Sequence, residues 1–123
     1  MITLEDIHKP VTAELEAFDD FVERQFTAEG ELLSDMLRYA LSTRGKGIRP
    51  MLVMLSAAMN APVKGASMGR RACLAAMLVE MIHVASLIHD DVIDESDMRR
   101  GKPSANARWQ SHKAVILGDY ILA

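Results

Sequence analysis

Hydrophobic residues recur at intervals of three and four along the first third of the chain. Between positions 4 and 26 they form a single stripe, which is typical of an amphipathic helix with one buried face. The stripe comprises Leu4, Ile7, Val11, Leu15, Phe18, Val22 and Phe26. The same spacing predicts a second helix over residues 31–41.

Three further helices are predicted after residue 45. Pro50 suits the first turn of a helix over residues 51–59, because the first turn leaves that backbone N–H unpaired in any case. A long helix is predicted over residues 70–97, and a last helix, capped by Ser104 or Asn106, runs to the end of the sequence. No alternating run bounded by turn residues predicts a strand, so the expected fold class is all-α.

Composition narrows the class of protein. The chain has 123 residues, of which 50% are hydrophobic, and this is typical of one globular domain and excludes a disordered chain. A single cysteine, Cys73, excludes a disulfide scaffold. The longest uninterrupted apolar run, Ala72–Val79, is far shorter than the roughly 20 residues that cross a bilayer. Without a signal-like N-terminus, we expect a cytoplasmic protein that does not span a membrane.

The net charge of −3 hides an uneven distribution. Residues 1–42 carry ten acidic and three basic side chains, whereas residues 43–123 carry eleven basic and seven acidic ones. The basic residues of the second part form short groups at 44–49, 70–71 and 99–102. Such groups suit either a nucleic acid or a small phosphorylated ligand.

A polar stripe runs along the long helix, which is otherwise apolar. Its members are spaced by three, three, four and four residues, so that they share one face. They are Glu80, His83, Ser86, Asp90 and Asp94. One interpretation is a buried helix whose polar line faces a cavity. The alternative is the solvated side of an ordinary core helix.

Three carboxylates close this stripe within five positions. Asp90 and Asp94 are one helical turn apart, roughly 6 Å along the axis, and Asp91 lies beside them. Carboxylates this close repel each other unless a cation lies between them. Mg²⁺ takes one or two protein carboxylates and completes its coordination with water and substrate phosphates. The spacing therefore predicts a magnesium site.

Cationic side chains flank the carboxylates in the sequence. Arg99 and Arg100 follow Asp94 closely, and Lys46 and Arg49 precede the helix that Pro50 begins. Arginine binds phosphate oxygens at two points, and lysine binds them as a point charge. Carboxylates for a metal and cations for phosphates together predict a metal–diphosphate site. The same carboxylates would repel a nucleic-acid backbone, so we expect no nucleic-acid partner.

Two motifs resemble those of a known family. The segment from His83 to Gly101, which contains Asp90-Asp91-Val92-Ile93-Asp94, resembles the first aspartate-rich region of the trans-polyprenyl diphosphate synthases. Gly45-Lys46-Gly47-Ile48-Arg49-Pro50 resembles the upstream basic motif of that family. The resemblance covers essentially the whole chain. It implies that residues 1–123 are a single domain, namely the N-terminal helices of the isoprenoid synthase helical bundle.

The resemblance also implies an activity and roles for individual residues. The family condenses isopentenyl diphosphate with an allylic diphosphate to lengthen a trans-polyprenyl diphosphate, a Mg²⁺-dependent transferase reaction. By position, Asp90 and Asp94 would bind Mg²⁺ with support from Asp91, and Arg99 would contact the allylic diphosphate. The diphosphate of isopentenyl diphosphate would be held by Lys46, Arg49, His83 and Arg100. A homodimer is expected from the resemblance.

The resemblance also implies that side chains just before the aspartates limit the length of the product. Ala85 and Ser86 stand at these positions, and both are too small to close a cavity as an aromatic side chain would. The chain is therefore expected to be closest to long-chain synthases of the heptaprenyl or octaprenyl type.

One part of the family pattern is missing. Family members carry a second aspartate-rich motif, whereas the only acidic residue after Gly101 is Asp119. We therefore expect the C-terminal half to be absent and the 123-residue chain to be inactive by itself. Two alternatives stay open: a non-catalytic helical subunit of a two-component synthase, or a relative of the class I terpene cyclases. A cyclase needs no second diphosphate site, so the presence of Lys46, Arg49 and Arg100 speaks against that alternative.

Overall fold

The computed structural model describes residues 1–26, 30–61 and 69–123, and helices dominate these ranges. The all-α prediction is confirmed. The elements are α1 (Leu4–His8), a 3₁₀ turn (Lys9–Val11), α2 (Thr12–Gln25), α3 (Glu31–Ser42), α4 (Ile48–Met59), α5 (Arg70–Ile93), β1 (Met98–Arg99), β2 (Lys102–Pro103), α6 (Ala105–Trp109) and α7 (Ser111–Leu122).

The chain forms two compact units. The first comprises residues 1–25 and 47–80, and the second comprises residues 26–46 and 81–123. Helix α5 contributes residues to each unit. Each unit has its own buried apolar side chains, such as Phe18 and Met54 in the first and Leu37 and Leu117 in the second. That residues 1–123 are part of one larger domain stays a prediction.

The N-terminal stripe folds as two helices rather than one. The 3₁₀ turn interrupts it at Pro10, which has no N–H to donate to a continuous helix. A capping box begins α1, because the Thr3 hydroxyl accepts from the Asp6 N–H while the Asp6 carboxylate accepts from the Thr3 N–H at 2.9 Å. This backbone hydrogen bond holds the pKa of Asp6 below its usual value. Val11, at the end of the 3₁₀ turn, is fully buried.

Helix α4 begins three residues earlier than predicted. Gly47 precedes it in the left-handed conformation, with φ of +66°, and the helix starts at Ile48. Pro50 is the third residue of α4 and so lies in its first turn, as expected. In the first unit, α4 packs against α2 and the 3₁₀ turn.

Helix α5 ends at Ile93, four residues before the predicted end. Glu95 has a φ of +54°, and the Ser96 N–H donates to the Asp91 carbonyl at 2.9 Å, while the Glu95 N–H donates to the Val92 carbonyl at 3.3 Å. These two bonds are those of a Schellman motif, in which one left-handed residue closes the last turn. The predicted helical residues 94–97 therefore form the turn that leads into the β-hairpin.

Helix α5 is not enclosed on all sides, contrary to the prediction of a buried helix. Leu74, Leu78, Val79 and Ile82 are exposed, because no element of the described ranges covers them. By length and composition alone, α5 is also apolar enough to cross a membrane, and 39% of its 18-residue apolar stretch is buried. Core helices meet the same criterion, so this is weak evidence, and the absence of a membrane span stays a prediction.

The second unit contains a short hairpin that the sequence did not predict. Strands β1 and β2 pair antiparallel, with Arg99 opposite Lys102. Ser104 then caps α6, because its hydroxyl accepts from the Ala107 N–H at 3.3 Å, which confirms the predicted cap. The last helix, which was predicted to be continuous, is divided into α6 and α7 at Gln110, which has a φ of +76°. Helices α6 and α7 both pack against α3.

Candidate functional site

The predicted carboxylates lie at the carboxyl end of α5. Asp90 occupies the last turn, and Asp94 directly follows the helix, with its N–H donating to the Asp90 carbonyl at 2.8 Å. Both side chains are exposed, and neither makes a hydrogen bond or an ion pair within the described ranges. Negative charge is unfavourable at this end of a helix, where the macrodipole is already negative. The arrangement therefore favours a bound cation.

Asp91 lies in a different environment from its two neighbours. Its side chain is only 7% exposed, and both of its oxygens accept hydrogen bonds from Arg99. Nη2 of Arg99 lies 2.6 Å from Oδ1, and Nε lies 3.1 Å from Oδ2. The hydrogen bond with Asp91 raises the pKa of Arg99 above its usual value, and the charge of Asp90 adds to the effect. The structure thus places Asp91 with Arg99 rather than with Asp90 and Asp94.

The available carboxylates suit a metal ion that takes most of its ligands from a bound substrate and from water. No group of three or more His, Cys, Asp or Glu side chains gathers in residues 1–26, 30–61 and 69–123. An all-protein metal cage is therefore not present in that part of the chain. Two exposed carboxylates one turn apart, Asp90 and Asp94, match the preference of Mg²⁺ for few carboxylates and several phosphate or water oxygens.

The predicted diphosphate-binding cations divide between the two units. Lys46, His83 and Arg100 belong to the second unit, which also holds the carboxylates, whereas Arg49 belongs to the first. Lys46, Arg49 and Arg100 are exposed, and His83 is half-buried on α5. The guanidinium of Arg100 lies directly against Gly45, the residue before Lys46. The structure therefore brings Arg100 to the loop that carries Lys46. That these cations bind one diphosphate stays a prediction.

Ala85 and Ser86 point in different directions on α5. Ala85 is completely buried, whereas Ser86 is exposed and its hydroxyl donates to the His83 carbonyl at 2.8 Å. They are consecutive residues, about 100° apart around the helix axis. Only Ser86 lies on the face that also carries Asp90.

A small pocket in the second unit adjoins the Asp91–Arg99 pair. It has about 380 Å³ of empty space, part of which is open to solvent, and its lining is mostly apolar. Tyr39 and Thr43 line one wall, and Val84 from α5 lines another. The Tyr39 hydroxyl donates to the Pro103 carbonyl, so the end of the hairpin is joined to α3.

Two contacts around the site were not predicted from the sequence. The His89 ring lies against Gly118 of α7, and its Nε2 is 3.1 Å from the Val115 carbonyl and 3.4 Å from Asp119 Oδ1. Gly45 makes room for Arg100 in the same way. A glycine inside the apolar helix α7 and a glycine beside a lysine were the available signals. Neither signal identifies the distant side chain that fills the space.

The chain matches known proteins over most of its length. The family model for polyprenyl synthetase matches residues 30–123. An all-trans-nonaprenyl-diphosphate synthase (geranyl-diphosphate specific) from Rhodobacter capsulatus is 35% identical over 97% of this chain. The octaprenyl diphosphate synthase of Escherichia coli (strain K12) is 37% identical over 98% of it. The chain spans 35% and 36% of the length of these two relatives.

A solved structure is similar in both fold and sequence. It is the polyprenyl synthase from Caulobacter crescentus CB15 complexed with calcium and isoprenyl diphosphate, and it matches with a TM-score of 0.84 and 26% identity. The match covers 98% of this chain and 35% of that chain.

Proposed function

The chain belongs to the polyprenyl synthetase family, and we propose that it is the N-terminal part of an enzyme that condenses isopentenyl diphosphate with an allylic diphosphate to make a longer trans-polyprenyl diphosphate. The observation that carries the proposal is the pair of exposed carboxylates, Asp90 and Asp94, at the end of α5 in the same unit as Arg99 and Arg100. The chain spans about a third of the length of these two relatives, which supports the proposal that it is one part of such an enzyme.

Asp90 and Asp94 are the residues that would hold Mg²⁺. Their exposure leaves room for phosphate oxygens around the ion, and the calcium and isoprenyl diphosphate in the Caulobacter structure support such a site. A bound divalent ion would draw negative charge onto the departing diphosphate as a Lewis acid. Asp91 acts differently, because it holds at two points the Arg99 guanidinium that would contact the allylic diphosphate.

The cationic side chains would bind two different substrates. Arg99, kept charged and oriented by Asp91, would contact the allylic diphosphate. Isopentenyl diphosphate would be bound by the diphosphate-binding set of Lys46, Arg49, His83 and Arg100. The contact of Arg100 with the loop before Lys46 supports a shared role for these two residues.

The reaction needs binding and electrostatic stabilisation more than a nucleophile. The bond between the allylic carbon and its diphosphate breaks, the isopentenyl double bond attacks the allylic cation, and loss of a proton restores an alkene. Arg99 stabilises the negative charge that develops on the leaving diphosphate. Cys73, the only thiol, lies outside the second unit, which holds the carboxylates.

Long products are the expected outcome. Ser86 is small and exposed on the face that carries Asp90, so it leaves space for a growing chain. The nonaprenyl and octaprenyl products named for the two relatives support this proposal. Ala85 is buried and therefore contributes only indirectly.

The assembly and location of the protein are also proposed. We expect a cytoplasmic homodimer when the rest of the bundle is present. The 123-residue chain by itself should not turn over, because a second aspartate-rich motif does not occur in its sequence. Measurable condensation by the purified chain with Mg²⁺ would overturn this last point.

Binding of isopentenyl diphosphate separates the prenyltransferase from a terpene cyclase or a non-catalytic subunit. Calorimetric titration should show that the chain binds isopentenyl diphosphate and that Lys46→Ala weakens this binding much more than it weakens binding of an allylic diphosphate. Equal losses for both ligands would contradict the assignment of Lys46. No binding of isopentenyl diphosphate to the wild-type chain would favour the alternatives.

A further inference from the structure

The guanidinium of Arg100 packs directly against the backbone of Gly45. Gly45 has a φ of +88°, and a Cβ added to it would lie only 2.6 Å from both Nε and Nη2 of Arg100. The guanidinium therefore fills the space that any other residue at position 45 would use for its own side chain. These two residues are 55 positions apart in sequence, and both belong to the second unit.

The backbone of Arg100 is itself held in an uncommon conformation. Arg100 and Gly101 are the two residues between β1 and β2, and their φ angles are +50° and +77°. Two positive φ angles are typical of the tight type I′ hairpin turn, in which the first central residue is usually Asn, Asp or Gly. An arginine at this position costs free energy relative to those residues, so its side chain is a candidate for a specific role.

Arg100 also lacks a partner within the part of the chain that the structure describes. It makes no hydrogen bond or ion pair there, and it lies beside the loop that carries Lys46, another exposed cation. Arg100, in the hairpin turn, and Lys46, next to Gly45, are thus two exposed cations without an ion pair in the described ranges. Cations brought together in this way repel each other and favour an anion between them.

We propose that Gly45 is a positioning residue: because it has no Cβ, the Arg100 guanidinium can lie across the basic loop and share an anion with Lys46. The proposal rests on the proposed function, in which that anion is the diphosphate of isopentenyl diphosphate. Gly45 itself need not touch the substrate. Its effect on affinity passes through Arg100.

The chain offers a matched control for this proposal. Gly47 flanks Lys46 on the other side and also has a positive φ, +66°, but a Cβ added there meets nothing within 4 Å. Gly45→Ala and Gly47→Ala therefore both introduce backbone strain into the same loop. Only Gly45→Ala displaces the guanidinium, and the displaced group is the flexible end of a side chain, so the variant should fold.

The affinity test is a double-mutant cycle read by calorimetric titration of isopentenyl diphosphate. Gly45→Ala should weaken binding by roughly tenfold, about the loss of one charge-assisted hydrogen bond. Gly47→Ala should change it by less than about twofold. In an Arg100→Ala background, Gly45→Ala should have almost no further effect. An undiminished effect in that background, or an equal loss in Gly47→Ala, would overturn the proposal.

A second readout does not depend on the ligand. The Nε–Hε signal of Arg100 in ¹⁵N NMR spectra, identified by its loss in Arg100→Ala, should move to the position of a solvent-exposed arginine in Gly45→Ala but not in Gly47→Ala. An unmoved signal in Gly45→Ala would show that Gly45 does not place Arg100. Failure of the wild-type chain to bind isopentenyl diphosphate would count against the proposed function, and this signal would still decide whether Gly45 positions Arg100.

Discussion

Asp91 holds Arg99 at two points, with Nη2 of the guanidinium 2.6 Å from Oδ1 and Nε 3.1 Å from Oδ2. This pairing separates three aspartates that look equivalent in the sequence. Asp90 and Asp94 remain exposed, whereas Asp91 joins the end of α5 to the β-hairpin that follows it. The pair also fixes an arginine beside the carboxylates, so one buried aspartate serves both the local fold and the proposed diphosphate site.

Asp91→Asn should destabilise the chain, and Asp90→Asn should not. The first variant removes a charge that pairs with Arg99 and leaves the guanidinium partly buried, at a cost of about 1–3 kcal/mol. The second changes an exposed side chain and should stay within about 0.5 kcal/mol of the wild type. Urea denaturation followed by circular dichroism measures both free energies of unfolding. Equal stabilities of the two variants would show that the ion pair contributes little.

Gly118→Ala should destabilise the chain even though alanine is the better helix former. In a helix, this replacement normally stabilises by roughly 0.5–1 kcal/mol. Here a Cβ would come within 2.5 Å of Cδ2 of His89 and displace the ring from the Val115 carbonyl. We expect a net loss of about 1–3 kcal/mol, the usual cost of overpacking.

The His89→Ala background is the control for that prediction. Without the imidazole ring, Gly118→Ala should become neutral or stabilising, because only the helix propensity remains. Thermal unfolding of the four proteins measures the coupling between the two positions. A destabilising effect that is equal in both backgrounds would show that His89 is not the group that Gly118 accommodates.

Phenylalanine substitutions should distinguish the two small residues before the aspartates. Ala85→Phe inserts a ring at a completely buried position and should cost about 1–3 kcal/mol or more. Ser86→Phe changes an exposed position and should alter the free energy of unfolding by less than about 0.5 kcal/mol. Urea denaturation again measures the difference. A tolerated Ala85→Phe would place that side chain in open space and make Ala85 a direct determinant of product length.

The helical fold was largely predictable, because the spacing of hydrophobic residues reports which face of each helix is buried. The second and third predicted helices, which correspond to α3 and α4, were predicted to within three residues at each end. The breaks were harder to predict, since they depend on the backbone conformation of single residues. Glu95 ends α5 and Gln110 divides the last helix, and both adopt positive φ although neither is a glycine.

The candidate site was predictable in its composition but not in its pairing. Spacing alone brought Asp90 and Asp94 to one helical face, since residues four apart are neighbours on a helix. The partnership of Asp91 with Arg99 could not be predicted, because it depends on the turn that brings the hairpin back to α5. The exposed Leu78 and Ile82 on that helix also differ from the sequence prediction, because burial depends on elements beyond the helix itself.

Calorimetry can measure whether Asp90 and Asp94 bind a divalent metal together with a diphosphate, because this binding does not require turnover. Inorganic diphosphate titrated into the chain should bind in the presence of Mg²⁺ and should not bind after the metal is chelated. Asp90→Asn and Asp94→Asn should each abolish the Mg²⁺-dependent heat, whereas Asp97→Asn, an exposed aspartate three residues beyond Asp94, should retain it. Unchanged Mg²⁺-dependent binding in both Asp90→Asn and Asp94→Asn would show that these two carboxylates do not hold the metal.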